Sequence, residues 1–484
     1  MNLRLISKIL GLFTFYTGLF MVFPLLWSIH DRGPDRIPIL LSMVITVGLG
    51  AITFLSFRKE RGEIFRKEGI FIVTFSWIIA AAVGALPYHF TGIEEFPTYV
   101  DCFFESMSGF TTTGASVLTN IEALPRGILF WRSLTHWLGG MGIIVLFIAV
   151  LPFLGVGGRE LYRSEVPGPT PEGLRPRIAQ TARTLWVIYG VLTVFETLFL
   201  MLAGMNFFES LCHTFGTLAT GGFSTRNTSI AAYDSVAIES IIILFMIAAG
   251  VNFSLYYQAI QGSIKNILKN TEFKVYIGLV AFLTTFTAIT LLLARNYDTV
   301  GEALRYSGFQ VVSILTTTGY ATADFDLWPS LLRVLLVVLM FIGGCAGSTG
   351  GGMKVIRIIV LVKDGIREIK RTIYPRSVFT IKVGGEIVKD STAAAIRGFF
   401  ILFMLIFVAA SLIMAGLGLD PVTAVTSVAA TMGNIGPGLN QIGPTLNYAF
   451  IPLSGKILLS FCMLLGRLEL FTVLVLLSPD FWKR

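Results

Sequence analysis

Four times this chain interrupts an apolar segment with a short Thr/Gly-rich run and then resumes it: residues 110–116, 219–225, 316–322 and 430–436. Superposing the runs puts Gly114, Gly222, Gly319 and Gly433 in register, at spacings of 108, 97 and 114 residues. Such a period suits two membrane spans plus a re-entrant element better than a small soluble repeat. Four similar units about one axis would bring four extended backbone stretches face to face, which is how a chain builds an ion filter from carbonyl oxygens.

Composition agrees with that geometry. In 484 residues, 54% are hydrophobic and only 14% charged, with a mean hydropathy of +0.76, which excludes a soluble domain and describes a polytopic membrane protein. The first apolar stretch, 9–29, is too long for a signal peptide and is followed at once by a second span, so it is expected to remain. The four cysteines lie singly in apolar segments and indicate neither a zinc site nor a disulfide framework. The net charge of +8 forms no single patch that would suit nucleic acid. Instead 27 of the 37 basic residues cluster near the N-terminus, at 58–67, 159–183, 265–274 and 354–397, and at the C-terminus. By the positive-inside rule those clusters, and both termini, are cytosolic, and the Thr/Gly runs approach from outside.

Ten spans are expected: 9–29, 37–57, 69–90, 127–154, 184–205, 236–262, 275–294, 331–362, 393–417 and 450–478. Between the spans of each later pair lies a shorter apolar piece, starting near Asp101, Asn206, Glu302 or Asp420 and ending at a Thr/Gly run. Asp, Asn or Glu in a first turn suits a helix N-terminus, and about 10–15 residues make a helix too short to cross a bilayer. The fold class is therefore all-α and polytopic, with four tandem repeats of span, pore helix, filter strand and span around one pseudo-fourfold pore. The units are 1–68 (an N-terminal two-span pair), 69–157, 158–270, 271–389 and 390–484. Half helices entering from outside aim the negative ends of their dipoles at the membrane centre, which favours a cation there.

The plan and its motifs, SGFTTTGAS, LATGGFST, LTTTGYAT and ATMGNIGPG, resemble the Trk/Ktr/HKT superfamily of potassium transporters. The additional N-terminal pair and the ending LGRLELFTVLVLLSP resemble its bacterial TrkH and TrkG branch. The resemblance implies a potassium-selective site with one glycine per repeat, here Gly114, Gly222, Gly319 and Gly433. Around them the expected filter includes Thr112, Thr113, Thr220, Gly221, Thr317, Thr318, Thr431, Met432 and Asn434. Glycine at all four positions favours potassium, with rubidium as surrogate, whereas some plant relatives with serine at the first favour sodium. The uneven fourth run implies moderate selectivity. The resemblance also implies a homodimer and a cytosolic ring of TrkA-like nucleotide-binding subunits docking on the basic loops at 155–183 and 354–392. It implies a bacterial inner-membrane location and potassium as the bound ion, with no other cofactor.

Span eight runs into GGCAGSTGGGMK at 343–354, and six glycines in ten residues cannot sustain a helix. The segment lacks the G-x-x-x-x-G-K-[ST] pattern after a strand that a nucleotide loop requires. Close helix packing through small residues is a second reading. A third, which the family resemblance supports, is an intramembrane gate made of Gly343, Gly344, Gly347, Ser348, Thr349, Gly350, Gly351 and Gly352. Arg467, in the middle of the last span, needs a partner there. Glu469 is a poor one, since residues two apart on a helix do not face each other. The carbonyls of a broken helix suit a five-donor guanidinium, so Arg467 is expected to brace the loop. Glu105, Glu209, His136 and His213 lie in or beside pore segments and are read first as structural hydrogen-bonding groups. They also suit outer electrostatics or a coupling proton.

No hydrolytic or redox constellation occurs, so the chain is not expected to be an enzyme. Transport must use an existing gradient: at 100 mV each entering monovalent cation gains about 2.3 kcal/mol, or roughly fifty-fold accumulation. Proton coupling, sodium coupling and plain flow through a pore are all open at this point. The competing classes are an alternating-access carrier for another cation and the pore subunit of a potassium pump.

Overall fold

The computed structural model describes residues 1–62, 64–142, 178–263 and 265–483, with side chains from Ala182 onward in the helix that begins at Ile178. The end of span four, most of the first basic loop and the 157/158 unit boundary lie outside the described residues.

Two spans open the chain. Leu3–Phe20 and Val22–His30 form one 28-residue span, and Arg36–Ser56 returns beside it. Gly11, Gly18 and Gly50 let the two backbones touch: a Cβ on Gly11 would lie 2.8 Å from Phe54 N, and one on Gly50 would strike Phe15 N. The connection between the spans carries Asp35, 1% exposed, which accepts from Ser28 and, at 3.1 Å, from Ile128 N. Ile128 is in the first turn of Arg126–Gly140, a helix whose own N-cap, Pro125, supplies no side-chain acceptor. The carboxylate caps that helix from another unit and fixes the N-terminal pair to the first repeat.

Each repeat begins with a continuous span: Arg66–Thr91, Ile178–Leu202, Thr271–Leu293 and Asp390–Gly416. A half helix follows: Tyr99–Phe110, Phe207–Leu218, Val300–Leu315 and Pro421–Met432. At 12, 12, 16 and 12 residues they are too short to cross a bilayer core of about 30 Å. Thr98, Asn206, Thr299 and Asp420 are their side-chain N-caps. The expected Asn206 and Asp420 thus sit at the caps, while Asp101 and Glu302 lie three residues inside; Asp101 closes a capping box with Thr98.

The second span of each later repeat departs from the continuous helix expected of it. Val236–Ala249 and Phe253–Ile260 meet at 91°, Ser330–Leu339 is parted from Val355–Ile373 by the Gly-rich loop, and Leu453–Arg467 is parted from Phe471–Leu477 by a turn. That last turn places Glu469 and Leu470 at φ of 56° and 49°. Six helices among the described residues are long and apolar enough to cross a membrane, or seven with the bent pair. The shortfall from ten reflects these breaks and the undescribed end of span four. A two-residue turn joins Ile381–Val383 to Glu386–Val388 as an antiparallel hairpin, with Ile381 opposite Val388, a departure from an all-helical chain.

Polarity is arranged for lipid. Leu202 and Leu293 are 83% and 81% exposed, while Glu105, His136 and His213 are completely buried. The outside is apolar and the polar groups converge on the middle.

Candidate functional site

Each half helix ends in the same backbone figure. One residue past the C-cap, Thr112, Thr220, Thr317 and Asn434 take φ of 54°, 54°, 61° and 53°. Two residues further, Gly114, Gly222, Gly319 and Gly436 take φ of 81°, 79°, 81° and 99°. Left-handed backbone is unfavourable for threonine and costs on the order of 1–3 kcal/mol where it persists. In between, the amides of Thr113, Gly221, Thr318 and Ile435 donate to carbonyls five residues back, at 2.8–2.9 Å.

The glycines then close a ring. A Cβ on Gly114 would run into Gly221 O, one on Gly222 into Thr318 O, and one on Gly319 into Ile435 O. One on Gly436 would come within 2.7 Å of Thr113 O, returning the sequence of contacts to the first repeat. Four strands therefore stand backbone to backbone in cyclic order, a geometry that requires glycine on two counts, the positive φ and the close approach.

This corrects the fourth repeat. Gly433 is the C-cap of Pro421–Met432 at φ −79°, and Thr431 and Met432 are the last turn of that helix. The shared backbone figure falls there on Asn434, Ile435 and Gly436, with its glycine three positions later than the glycine alignment proposed. The misleading signal is composition. Thr431-Met432-Gly433 mimics Thr-Thr-Gly, whereas the shared feature is position relative to the helix end. The structure brings Thr112, Thr113, Gly114, Thr220, Gly221, Gly222, Thr317, Thr318 and Gly319 together, and with them Asn434 of the fourth run.

Oxygen supply in this ring comes from backbone carbonyls, with Thr112 Oγ1 and Asn434 Oδ1 buried and without a hydrogen-bond partner. Among the described residues no group of three or more His, Cys, Asp or Glu has metal-site geometry. The arrangement suits a hard, weakly held monovalent cation.

Behind the ring lies a polar brace. His136 Nδ1 meets Gly109 O at 2.8 Å, and Phe223 N donates to its Nε2 at 3.1 Å, so a neutral imidazole ties the first pore helix to the second filter strand. His213 pairs with Glu209 O and Ser224 Oγ at 2.8 and 3.0 Å. Tyr320 OH reaches His213 O and Phe223 O at 3.1 and 3.2 Å, and Tyr448 OH donates to Gly436 O at 2.6 Å. Glu105 accepts from Arg132 Nε at 2.7 Å, Ser116 Oγ at 2.9 Å and Val117 N at 3.0 Å. Arg132 also donates to Ser224 O and lies 4.1 Å from the Phe223 ring centre, so the pair spans repeats one and two. The sequence reading did not single out Arg132, although an arginine inside an apolar span is itself the signal. Changing Arg132 to methionine strands a buried carboxylate and is expected to destabilise the fold by about 3–5 kcal/mol. Thermal unfolding in detergent measures it, and adding Glu105→Gln should recover part of the loss.

Below the ring, the 343–352 loop is held on every side. Gly351 N donates to Thr317 Oγ1 at 2.7 Å, directly on a filter residue. Cys345 N and Thr349 N donate to Gly250 O and Ala249 O, at the bend of the second repeat. Glu272 accepts from Ala346 N at 2.8 Å and Ile356 N at 3.0 Å, and Lys354 Nζ donates to Gly350 O. Arg467 donates to Thr349 O at 2.8 Å and Gly140 O at 2.9 Å, and to Gly139 O, so it contacts the loop and also ties it to the first repeat. Glu469 pairs instead with Arg357. A cavity of about 100 Å³ adjoins the loop, lined by Gly350, Gly351, Lys354, Gly466 and Arg467 among others. Glu272 escaped the sequence reading because its role is set by chain crossing. Changing it to alanine should free the loop, and maleimide labelling of Cys345, 1% exposed, should become faster.

The family described as TrkH, a cation transport protein, matches residues 37–484. The Trk system potassium uptake protein TrkH of Halomonas elongata is 44% identical over 487 residues, covering all of both chains. The Escherichia coli K12 protein of the same name is 42% identical, again covering all of both. The crystal structure of the potassium transporter TrkH from Vibrio parahaemolyticus matches with a TM-score of 0.91 at 39% identity, over 100% of each chain. With the same architecture and a family match that leaves out only the first 36 residues, the chain belongs to the TrkH family of cation transport proteins.

Proposed function

We propose that this chain takes up potassium, and rubidium in its place, through one pore whose filter is the ring of Gly114, Gly222, Gly319 and Gly436. The observation that carries the reading is the cyclic contact of each glycine with a carbonyl of the next repeat. It leaves the four strands with carbonyls and no acidic side chain to select the ion, which favours a cation that sheds its water readily. The loop at 343–352, braced by Arg467 and resting on Thr317, is the gate.

The units at 1–68, 69–157, 158–270, 271–389 and 390–484 are one two-span anchor and four pore repeats. The chain sits in the bacterial inner membrane with both termini cytosolic, a reading supported by the placement of its basic clusters. It works as a homodimer and binds a TrkA-like nucleotide-binding subunit at its cytosolic face. The Trk system named for its relatives and the basic helix Val355–Ile373 support that partner. It is a transporter and not an enzyme.

Ion flux into liposomes holding only the purified protein tests the reading. Under an imposed inside-negative voltage, potassium and rubidium should enter well ahead of sodium and lithium. Sodium entry equal to potassium entry would overturn it.

A further inference from the structure

Glu196 stands apart from every residue used so far. It lies within the candidate span Ala182–Leu202, roughly 9 Å from its outer end at 1.5 Å per residue. It is completely buried, and neither carboxyl oxygen has a hydrogen-bond partner of standard geometry. No cation pairs with it among the described residues. An ionised carboxylate in that position would have neither water nor charge to compensate it.

Its surroundings supply acceptors. The helix packs against Phe207–Leu218 and against Val236–Ala249 and Phe253–Ile260. From Phe207–Leu218 the Thr217 hydroxyl reaches Glu196, and the titratable groups that feel it are the Tyr189 and Tyr320 phenols. On the bent span, Glu239 is engaged by Arg305 at 2.7 Å and Tyr256 donates to Ala248 O at 2.7 Å, so neither serves Glu196. Thr217 Oγ1 gives its proton to His213 O at 2.8 Å; a hydroxyl so engaged can accept from a carboxylic acid but must turn away from His213 O to serve a carboxylate. A carboxylic acid brings its own proton to the contact; a carboxylate takes the hydroxyl's hydrogen bond away from His213 O.

The contact leads to the filter. His213 O, which takes the Thr217 proton, also accepts from Tyr320 OH, and Tyr320 OH reaches on to Phe223 O. Phe223 follows Gly222, and Tyr320 follows Gly319. We propose that Glu196 is a proton-binding site within the membrane, a carboxylic acid whose proton holds the end of the second pore helix and thereby filter strands two and three. Release of that proton to water draws the Thr217 hydroxyl from His213 O to the carboxylate, which loosens the end of the second pore helix and lowers ion passage.

Infrared spectroscopy of the reconstituted protein tests this beside rubidium influx. At neutral pH the wild type should show a protonated-carboxyl C=O band that is missing in Glu196→Gln. Alkaline titration should bleach that band and reduce influx over the same range, and in Glu196→Gln influx should no longer follow pH there. Absence of the band at neutral pH overturns the proposal, as does a band that never bleaches or an influx indifferent to bleaching. The flux arm rests on the potassium pore; the spectroscopic arm does not. Band present with no influx in either protein would overturn the pore reading instead.

Discussion

Gly319→Ala and Gly436→Ala each abolish discrimination between potassium and sodium, while Gly433→Ala leaves it intact. At Gly319 the added Cβ runs into Ile435 O with the backbone held at φ +81°, and at Gly436 it lies 2.7 Å from Thr113 O at φ +99°. Left-handed backbone alone costs an alanine about 1–2 kcal/mol, roughly tenfold in an equilibrium, before the clash is counted. The strand cannot yield outward without moving its cyclic neighbour, so the carbonyl spacing that selects the ion is lost. At Gly433 the Cβ meets Met340 O at 2.6 Å, but the backbone is right-handed and the site is a helix cap. That variant should lose thermal stability and keep its ion preference. Reversal potentials in mixed potassium and sodium gradients separate the two registers. Lost selectivity in Gly433→Ala with Gly436→Ala unaffected would restore the register of the bare glycine alignment.

Arg467→Ala is expected to raise basal rubidium influx by about tenfold or more. A hydrogen bond from a charged donor contributes about 1.5–3 kcal/mol, and the guanidinium makes one to Thr349 O in the loop and others to Gly139 O and Gly140 O of the first repeat. Without it the loop retains Gly351 on Thr317 and the Glu272 clamp but loses its tie across the pore. Arg467→Lys should give an intermediate flux, since an ammonium cannot reproduce the planar fork. Influx equal to wild type in both would remove the loop from gating.

The four-repeat plan was legible because it is written in two strong signals, apolar length and Thr/Gly interruption. Three of the four glycines that meet in the ring were already aligned by the Thr/Gly runs. The fourth was displaced because Thr431 and Met432 extend their helix one turn through what looked like filter sequence. The break in span eight was announced by six glycines, whereas those after Ala249 and Arg467 have no such spelling. They are made by Asn252 capping the next helix piece, and by a turn whose Glu469 is drawn to Arg357 on another repeat. Arg467 could be assigned a partner type from sequence, because a buried guanidinium needs carbonyls. Glu272 and Asp35 could not, because the amides they hold lie 74 and 93 residues away.

The breaks in the second spans divide labour between two sets of rods. The first span of each repeat is uninterrupted, so the four-strand ring hangs from stiff posts; where a second span is broken, the half beyond the break is attached through a joint. A push or pull delivered from inside the cell turns those joints before it can distort the posts. In the proposed pore, switching conductance from the cytosol would leave the ion preference as it was.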